Sequence, residues 1–219
     1  VGITPILNPR YLFENSSSLD HSTEDLFDDS AILLTPATNA IKAAVDLAFN
    51  FASILGSKPR FLDPLEHDAV LGLTEGLPRL LGIALFQTLL QHPNWNDVQW
   101  FTNPGFGALT QPLFDTHPDA LRDEFTKNSD SLARGLDQLI TVLQAYRTLL
   151  SEGDAQTLEQ AVVTSSEEYE KWINLRYKAN WDEGSKLPDV DRGQTIMSSL
   201  FGSALTKRLT GDKKQDNDN

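Results

Sequence analysis

The stretch Lys58-Pro59-Arg60-Phe61-Leu62-Asp63-Pro64-Leu65-Glu66-His67-Asp68 marks the change of architecture in this chain. Its first five residues read as a short strand. Asp63-Pro64 then supplies a helix N-cap followed by proline at the first helical position, where a backbone N–H would have no partner anyway. Upstream of this point the pattern predicts strands around one helix. Downstream it predicts helices only.

Upstream, Ala31-Ile32-Leu33-Leu34-Thr35 is an apolar run ended by Pro36, which predicts a buried strand. Thr38 or Asn39 can cap a helix running to Leu55, with Ile41, Val45, Ala48, Ala52 and Leu55 on one stripe. Gly56 stops it. Strand, helix and strand in this order make one βαβ unit and imply a parallel sheet. Residues 8–30 are rich in Asn, Ser and Asp and read as a long loop with one helical turn. Val1-Gly2-Ile3 reads as a strand already in progress, so the chain is expected to be a piece of a longer protein. Three strands do not make a stable open sheet alone, and further strands or a docking partner are expected.

Downstream, Leu65 to Leu90 reads as a helix that Pro78 should kink. The segment Leu77-Pro78-Arg79-Leu80-Leu81-Gly82-Ile83-Ala84-Leu85-Phe86 is apolar nearly all round and is expected to be buried on most faces. Pro93 to Pro104 reads as a connector, and Gly105-Phe106-Gly107 opens a short helix. From Pro118 to Leu150 a single helix is expected. Its apolar positions (Leu121, Phe125, Leu132, Leu136, Leu139, Leu143, Tyr146, Leu150) follow a near-heptad seam broken at Asn128. At ~1.5 Å per residue it would be roughly 45 Å long, which calls for a partner helix from a second subunit. Gly153-Asp154 makes a turn into an amphipathic helix from Leu158 to Tyr177. Beyond Asn180 the chain is Gly-, Pro- and Asp-rich, with one apolar patch at Ile196–Leu200. The ending from Gly211 reads as a solvated, disordered tail.

The chain has 219 residues, a formal net charge of −13 and 40% hydrophobic residues. That is enough chain to bury a core. The charge argues against nucleic acid or an anionic membrane surface as partner. The absence of cysteine excludes disulfides, zinc–thiolate sites and thiol nucleophiles. No apolar run reaches the ~18 residues of a membrane span, and nothing reads as a signal peptide. The expectation is a soluble, cytoplasmic protein. No phosphate-cradling GxGxxG or GxxxxGK[ST] loop occurs. His21, His67, His92 and His117 are scattered without metal-ligand spacing, so no metal site is expected. The paired carboxylates read as solubility. Composition and spacing alone leave a mostly helical, acidic, oligomeric domain without an assigned activity.

An ordered set of motifs adds to this. Leu26-Phe27-Asp28-Asp29-Ser30-Ala31-Ile32-Leu33-Leu34-Thr35-Pro36 is followed by Asp63-Pro64-Leu65-Glu66-His67-Asp68 and Gly76-Leu77-Pro78-Arg79. Then come Asn103-Pro104-Gly105-Phe106, His117-Pro118-Asp119-Ala120-Leu121-Arg122-Asp123 and Lys127-Asn128. Over roughly residues 2–150 this resembles the prephenate/arogenate dehydrogenase family. The resemblance implies a mainly α fold: a helical dimerisation domain preceded by a partial βαβ segment, the edge of a Rossmann domain. It implies three parts. Residues 1–62 would be the C-terminal remnant of a nucleotide-binding domain, and 63–180 an all-helical dimerisation and substrate domain. Residues 181–219 would be an extension with a disordered tail. It further implies a homodimer, a small-molecule acid as substrate, and NAD or NADP as cofactor of the longer protein. No cofactor is expected to bind this chain alone, and its cofactor-contacting residues are unknown.

The resemblance also places site residues. The family's catalytic His falls on Thr4, before Pro5. Its Ser-His-Leu-Pro-His motif falls on Glu75-Gly76-Leu77-Pro78-Arg79, matching at Leu77 and Pro78. Its carboxylate-binding Arg falls on Gln111, after Gly105 and Phe106. The substrate-binding set implied is Arg79, Gln111, Gly105 and Phe106. A threonine hydroxyl is too weak to replace an imidazole base near neutral pH, so Thr4 also reads as a structural strand residue. Arg79 can hold a carboxylate bidentately or pair with Glu75 at i, i+4. Gln111 reads as a helix-surface residue or a neutral ligand contact, and His67 as a local hydrogen-bonding residue beside Asp63 and Asp68. The resemblance implies an NAD(P)-dependent oxidoreductase that oxidatively decarboxylates prephenate or a related cyclohexadienyl acid toward tyrosine. The alternative is a catalytically degenerate relative that serves as a dimeric binding or regulatory module.

Overall fold

The computed structural model describes residues 1–13, 22–179, 197–202 and 205–206. The expectations of an extension over 181–219 and of a disordered tail lie outside the described residues, apart from the short stretches at 197–202 and 205–206.

Strands β1 (Gly2–Ile6), β2 (Ala31–Thr35) and β3 (Lys58–Phe61) form one sheet in the order β1-β2-β3. β2 and β3 run parallel, with Ile32 beside Pro59 and Leu34 beside Phe61. β1 runs antiparallel to β2, with Thr4 opposite Leu33. The sheet is therefore mixed, a correction to the wholly parallel arrangement that a βαβ unit implies. Among the described residues between β1 and β2 (7–13 and 22–30) there is no α-helix, and the two strands pair antiparallel. This connection is held by its own polar groups. The Asn8 N–H donates to the Leu26 carbonyl at 3.0 Å. Tyr11 Oη donates to Asp25, and Arg10 pairs with the same carboxylate at 2.9 Å. The hydrogen bond to Asp25 raises the Tyr11 phenol pKa and lowers that of the carboxyl.

Helix α1 (Lys42–Ile54) begins at Ile41, which has no side chain to cap it. Thr38 and Asn39 lie before its start and do not serve as cap. Ala48, Ala52 and Leu55 pack on Ile32 and Leu34, but Ile41, read as part of that stripe, is exposed. Gly56 ends the helix with a positive φ of 78°.

Asp63 caps α2 (Pro64–Leu71) as the sequence implies, accepting the Leu65 N–H at 2.8 Å. The helix then widens into a π-turn at Gly72–Gly76 and continues as α3 (Leu77–Leu90). The irregularity that Pro78 predicts stands just before it, as this π-turn. The proline sits in the first turn of α3, and the wide turn before it absorbs the missing donor. The segment Leu77–Phe86 is not buried on most faces within this chain: Gly82 alone in α3 is fully buried, and Leu81 is exposed. Taken as one helix, Pro64–Leu90 has an 18-residue window of mean hydropathy 1.5, long and apolar enough to cross a membrane by length and composition. This corrects the expectation that no such segment exists. The glycines within it are contact points: a Cβ on Gly76 would lie 3.1 Å from Leu132 Cδ2, and one on Gly82 would collide with the Leu109 carbonyl.

The connector at 93–104 contains α4 (Trp95–Val98) and a 3₁₀ turn (Gln99–Phe101). Trp95 packs edge-on against Phe86 at 5.8 Å between ring centroids. α5 (Pro104–Thr110) and α6 (Pro112–Asp115) follow. The expected single helix from Pro118 to Leu150 is two, α7 (Pro118–Lys127) and α8 (Ser129–Glu152). Asn128 leaves helical geometry at φ −108° and ψ 20°. Its side-chain amide donates to the Glu124 carbonyl at 3.0 Å, supplying a local alternative to helix continuation. The inward face of α8 is Leu132, Gly135, Ala145 and Leu149, while Leu143 and Leu150 of the expected seam are exposed.

Gly153, at φ 69°, turns the chain into α9 (Ala155–Lys178), and the Asp154 carboxylate accepts the Thr157 N–H at 3.0 Å. Ala145, Leu149, Ala161 and Phe201 form the second core cluster. At the far end of α9, Arg176 donates to the Leu7 carbonyl at 2.7 Å and returns the helix to the end of β1.

Two measurements check this packing. Gly82→Ala gains about 1 kcal/mol of helix propensity but forces α5 away from α3, at about 1–3 kcal/mol. Urea unfolding should show net destabilisation, and a stabilised variant would refute the close approach. For Asp154 the sign is fixed by its lowered pKa, caused by the hydrogen bonds from Thr157. A depressed carboxyl contributes stability above its unfolded value and loses it as pH falls through the folded one. Asp154→Ala should therefore melt below the parent chain at pH 7, with the gap in Tm closing as pH drops below about 4.

Candidate functional site

The π-turn and α3 set the first group of polar side chains. Arg79 lies in the first turn of α3, and its guanidinium meets two carboxylates. Nη1 donates to Glu124 of α7 at 2.6 Å, and Nη2 reaches Glu75 at 3.4 Å. The i, i+4 pair with Glu75 is the one that sequence spacing suggests. The shorter bond to Glu124, 45 residues away, was not anticipated. Gly76 explains how Glu124 comes so near: a Cβ at Gly76 would be 3.5 Å from Glu124 Oε1 and closer still to Leu132. A glycine here opens the space that Leu132 and Glu124 occupy.

Arg79 borders a cleft of about 230 Å³ whose other walls are Ala108, Gln111, Pro112, Asp115 and Thr116. Arg79 and Gln111 thus come together, as their joint assignment to a ligand site requires. Gln111 Nε2 donates to Asp115 at 2.7 Å across one turn. No motif in the sequence marks Asp115. Phe106 is not a wall of this cleft. It packs on Phe86 at 6.4 Å, with α5 resting on α3. Gly105, near the start of α5, has no atom within 4 Å of where a Cβ would stand. The cleft is polar and open. Among the described residues that line it, Arg79 is the cation, and its guanidinium is already paired with two carboxylates.

The second group lies where the sheet meets α2. Thr4 Oγ1, midway along β1, is 2.8 Å from His67 Nε2. The other ring nitrogen, Nδ1, is 2.9 Å from Asp68 Oδ1. The His67 side chain is 14% exposed and Asp68 is 62% exposed, so the imidazole is shielded and the carboxylate is wet. His67 does not bond the Asp63 carboxylate, which is engaged by the Leu65 N–H. It reaches instead across to β1. Spacing could not disclose this contact, because it depends on how α2 leans on the sheet.

No group of three or more potential metal ligands occurs among the described residues. The one strand-to-helix crossing described in the sheet, residues 36–41, contains no glycine and leads into a helix without a side-chain cap. That turn does not fit a dinucleotide pyrophosphate, which needs backbone approach at a glycine-rich helix start.

Comparison with known proteins agrees with this architecture. A family model described as prephenate dehydrogenase, dimerization domain, matches residues 63–164. Prephenate dehydrogenase of Bacillus subtilis (strain 168) is 26% identical over 184 residues, 79% of this chain and 48% of that protein. The chain therefore spans about half the length of that relative. The crystal structure of Synechocystis arogenate dehydrogenase superimposes with a TM-score of 0.61 at 19% identity, over 78% of this chain and 60% of that one. Prephenate dehydrogenase from Aquifex aeolicus, crystallised with hydroxyphenyl propionate and NAD+, gives 0.59 at 21% identity, over 77% and 58%. The mainly helical architecture with a small sheet before it is that of these structures. Residues 63–164 are thus similar to the dimerization domain of prephenate dehydrogenase.

Proposed function

We propose that this chain is the C-terminal portion of an NAD(P)-dependent oxidoreductase that oxidatively decarboxylates prephenate or a related cyclohexadienyl acid. Residues 1–62 then end the nucleotide-binding domain, 63–180 form the dimerisation and substrate domain, and 181–219 extend it. The observation that carries this reading is the 184-residue alignment to the Bacillus subtilis enzyme, longer than the 63–164 match to the dimerization domain. Thr4, Arg79, Gln111, Gly105 and Phe106 remain the proposed site residues. Arg79 is the carboxylate anchor and Gln111 a neutral neighbour in the same cleft. The turn at 36–41 is not proposed as a cofactor contact, because it lacks the glycines that a pyrophosphate needs.

A second reading has its own support. Arg79 is sequestered by Glu124 and Glu75, and Thr4 stands where the family resemblance places a histidine. Both features favour a relative that keeps the dimer and has lost turnover. Assaying the full gene product with prephenate and NAD+ or NADP+ separates the two, since reduced nicotinamide appears only under the first. Calorimetric titration of NAD+ into the 219-residue chain alone should give no micromolar binding.

Glu124→Gln should release Arg79 and tighten binding of hydroxyphenyl propionate by roughly tenfold, about 1.4 kcal/mol. Arg79→Gln should weaken it. An unchanged affinity in both variants would remove Arg79 from the site.

The dimer is proposed to use the apolar surface left uncovered in one chain, with Leu143 at 51% and Leu150 at 67% exposure on α8. Leu143→Glu with Leu150→Glu should leave the monomer folded, because both positions face outward, yet halve the mass seen by light scattering at ~10 µM. A wild-type monomer at that concentration, well above a micromolar Kd, would refute the dimer.

A further inference from the structure

We infer that Thr4, His67 and Asp68 form a proton relay that receives the hydroxyl group of a ring-hydroxylated acid. The inference rests on the proposed reading that β1 borders the substrate. It adds to that reading a base that no motif assigns.

The argument begins with donors and acceptors. The Asp68 carboxylate can only accept, so Nδ1 of a neutral His67 carries the proton and donates to it. Nε2 is then an acceptor. The Thr4 hydroxyl, 2.8 Å away, is left to donate to it. A hydroxyl that donates through its hydrogen still offers lone pairs, so Thr4 Oγ1 is set to accept from a third group. Threonine alone is too weak a base for a hydroxyl proton, but a threonine backed by an imidazole is not. The ligand O–H bond breaks as a Thr4 O–H bond forms. The original Thr4 proton passes to Nε2, and the ligand oxygen keeps the electron pair. His67 becomes an imidazolium held against Asp68, as in other carboxylate-oriented histidines.

The surroundings suit this. His67 is shielded on the sheet side. β1 (Gly-Ile-Thr-Pro-Ile) and β2 (Ala-Ile-Leu-Leu-Thr) carry no titratable side chain. On its own helix, Asp63 is engaged by the Leu65 N–H and Glu66 is exposed, which leaves Asp68 as the charge bonded to the ring. His67 acts through Thr4 and never touches the ligand, so it is a positioning and proton-accepting residue and not a catalytic one. A structural strap between α2 and β1 would use the same bonds, and the test must separate the two.

The test uses the full gene product labelled with 15N at histidine. Long-range 15N–1H spectra above the imidazole pKa should show His67 as the Nδ1–H tautomer. Saturating 3-(4-hydroxyphenyl)propionate should move the Nε2 resonance, and 3-phenylpropionate, which lacks the hydroxyl, should not. Thr4→Val should abolish the response and Thr4→Ser retain it. In turnover, His67→Gln should lower kcat about 10²-fold or more with little change in KM, and should remove the acidic limb of the pH profile. An Nε2–H tautomer, or equal responses to the two acids, or none, overturns the relay. Prephenate turnover with a silent His67 sinks the relay and spares the proposed function. A hydroxyl-dependent His67 response without turnover does the reverse.

Discussion

The close approach of helices at glycine is the constraint on which the rest of this structure depends. Gly82 lets the backbone of α5 rest directly on α3 at Leu109, where any Cβ would collide. Gly72 and Gly76 face Ser131 and Leu132 of α8, and on the opposing side Gly135 faces Leu73 and Leu77. The Gly82 contact is one no side chain could replace, and at Gly72, Gly76 and Gly135 the facing side chains would have to give way. Arg79 is carried on this spine. Its reach to Glu124, and the cleft it shares with Gln111, follow from how near α5 and α7 are held.

The π-turn at Gly72–Gly76 belongs to the same constraint. A regular helix through Pro78 would lose a bond and clash with the preceding turn, bending the axis. The wider turn lets α2 and α3 continue one after the other, so that His67 near the start bonds to the sheet and Arg79 near the middle bonds to α7. The two polar groups therefore lie on one apolar rod. This rod is long enough to span a bilayer, and much of it stays uncovered in a single chain. Apolar surface of this extent calls for burial, which a second copy of a dimerization domain would provide.

How far this was legible in the sequence depends on whether a feature is local. The Asp63 cap, the Gly56 and Gly153 stops and the strands at 31–35 and 58–61 are set by neighbours in the chain, and they stand where the pattern puts them. The start of α1 was misplaced because Thr38 and Asn39 are good caps that tertiary packing leaves unused. The long helix was misread as one because its seam continues in phase across Asn128, while the break comes from a side-chain bond to Glu124 that periodicity cannot register. The site divides the same way. Arg79–Glu75 was legible from spacing, whereas Arg79–Glu124 and Thr4–His67 join residues 45 and 63 positions apart.

That last pair bears on how a site can change its residues without losing its chemistry. A hydroxyl-handling group needs a proton acceptor of suitable basicity within one hydrogen bond of the ligand, or within one further bond through an intermediary. The family resemblance puts an imidazole directly on β1. Here β1 carries a hydroxyl and α2 carries the imidazole, one bond behind it. The imidazole bonds to Thr4 on one side and to Asp68 on the other. In the other group, Leu132 lies against Gly76, and Arg79 bonds to Glu124. The first exchange keeps an acceptor in place; the second neutralises the cation in a chain already at −13.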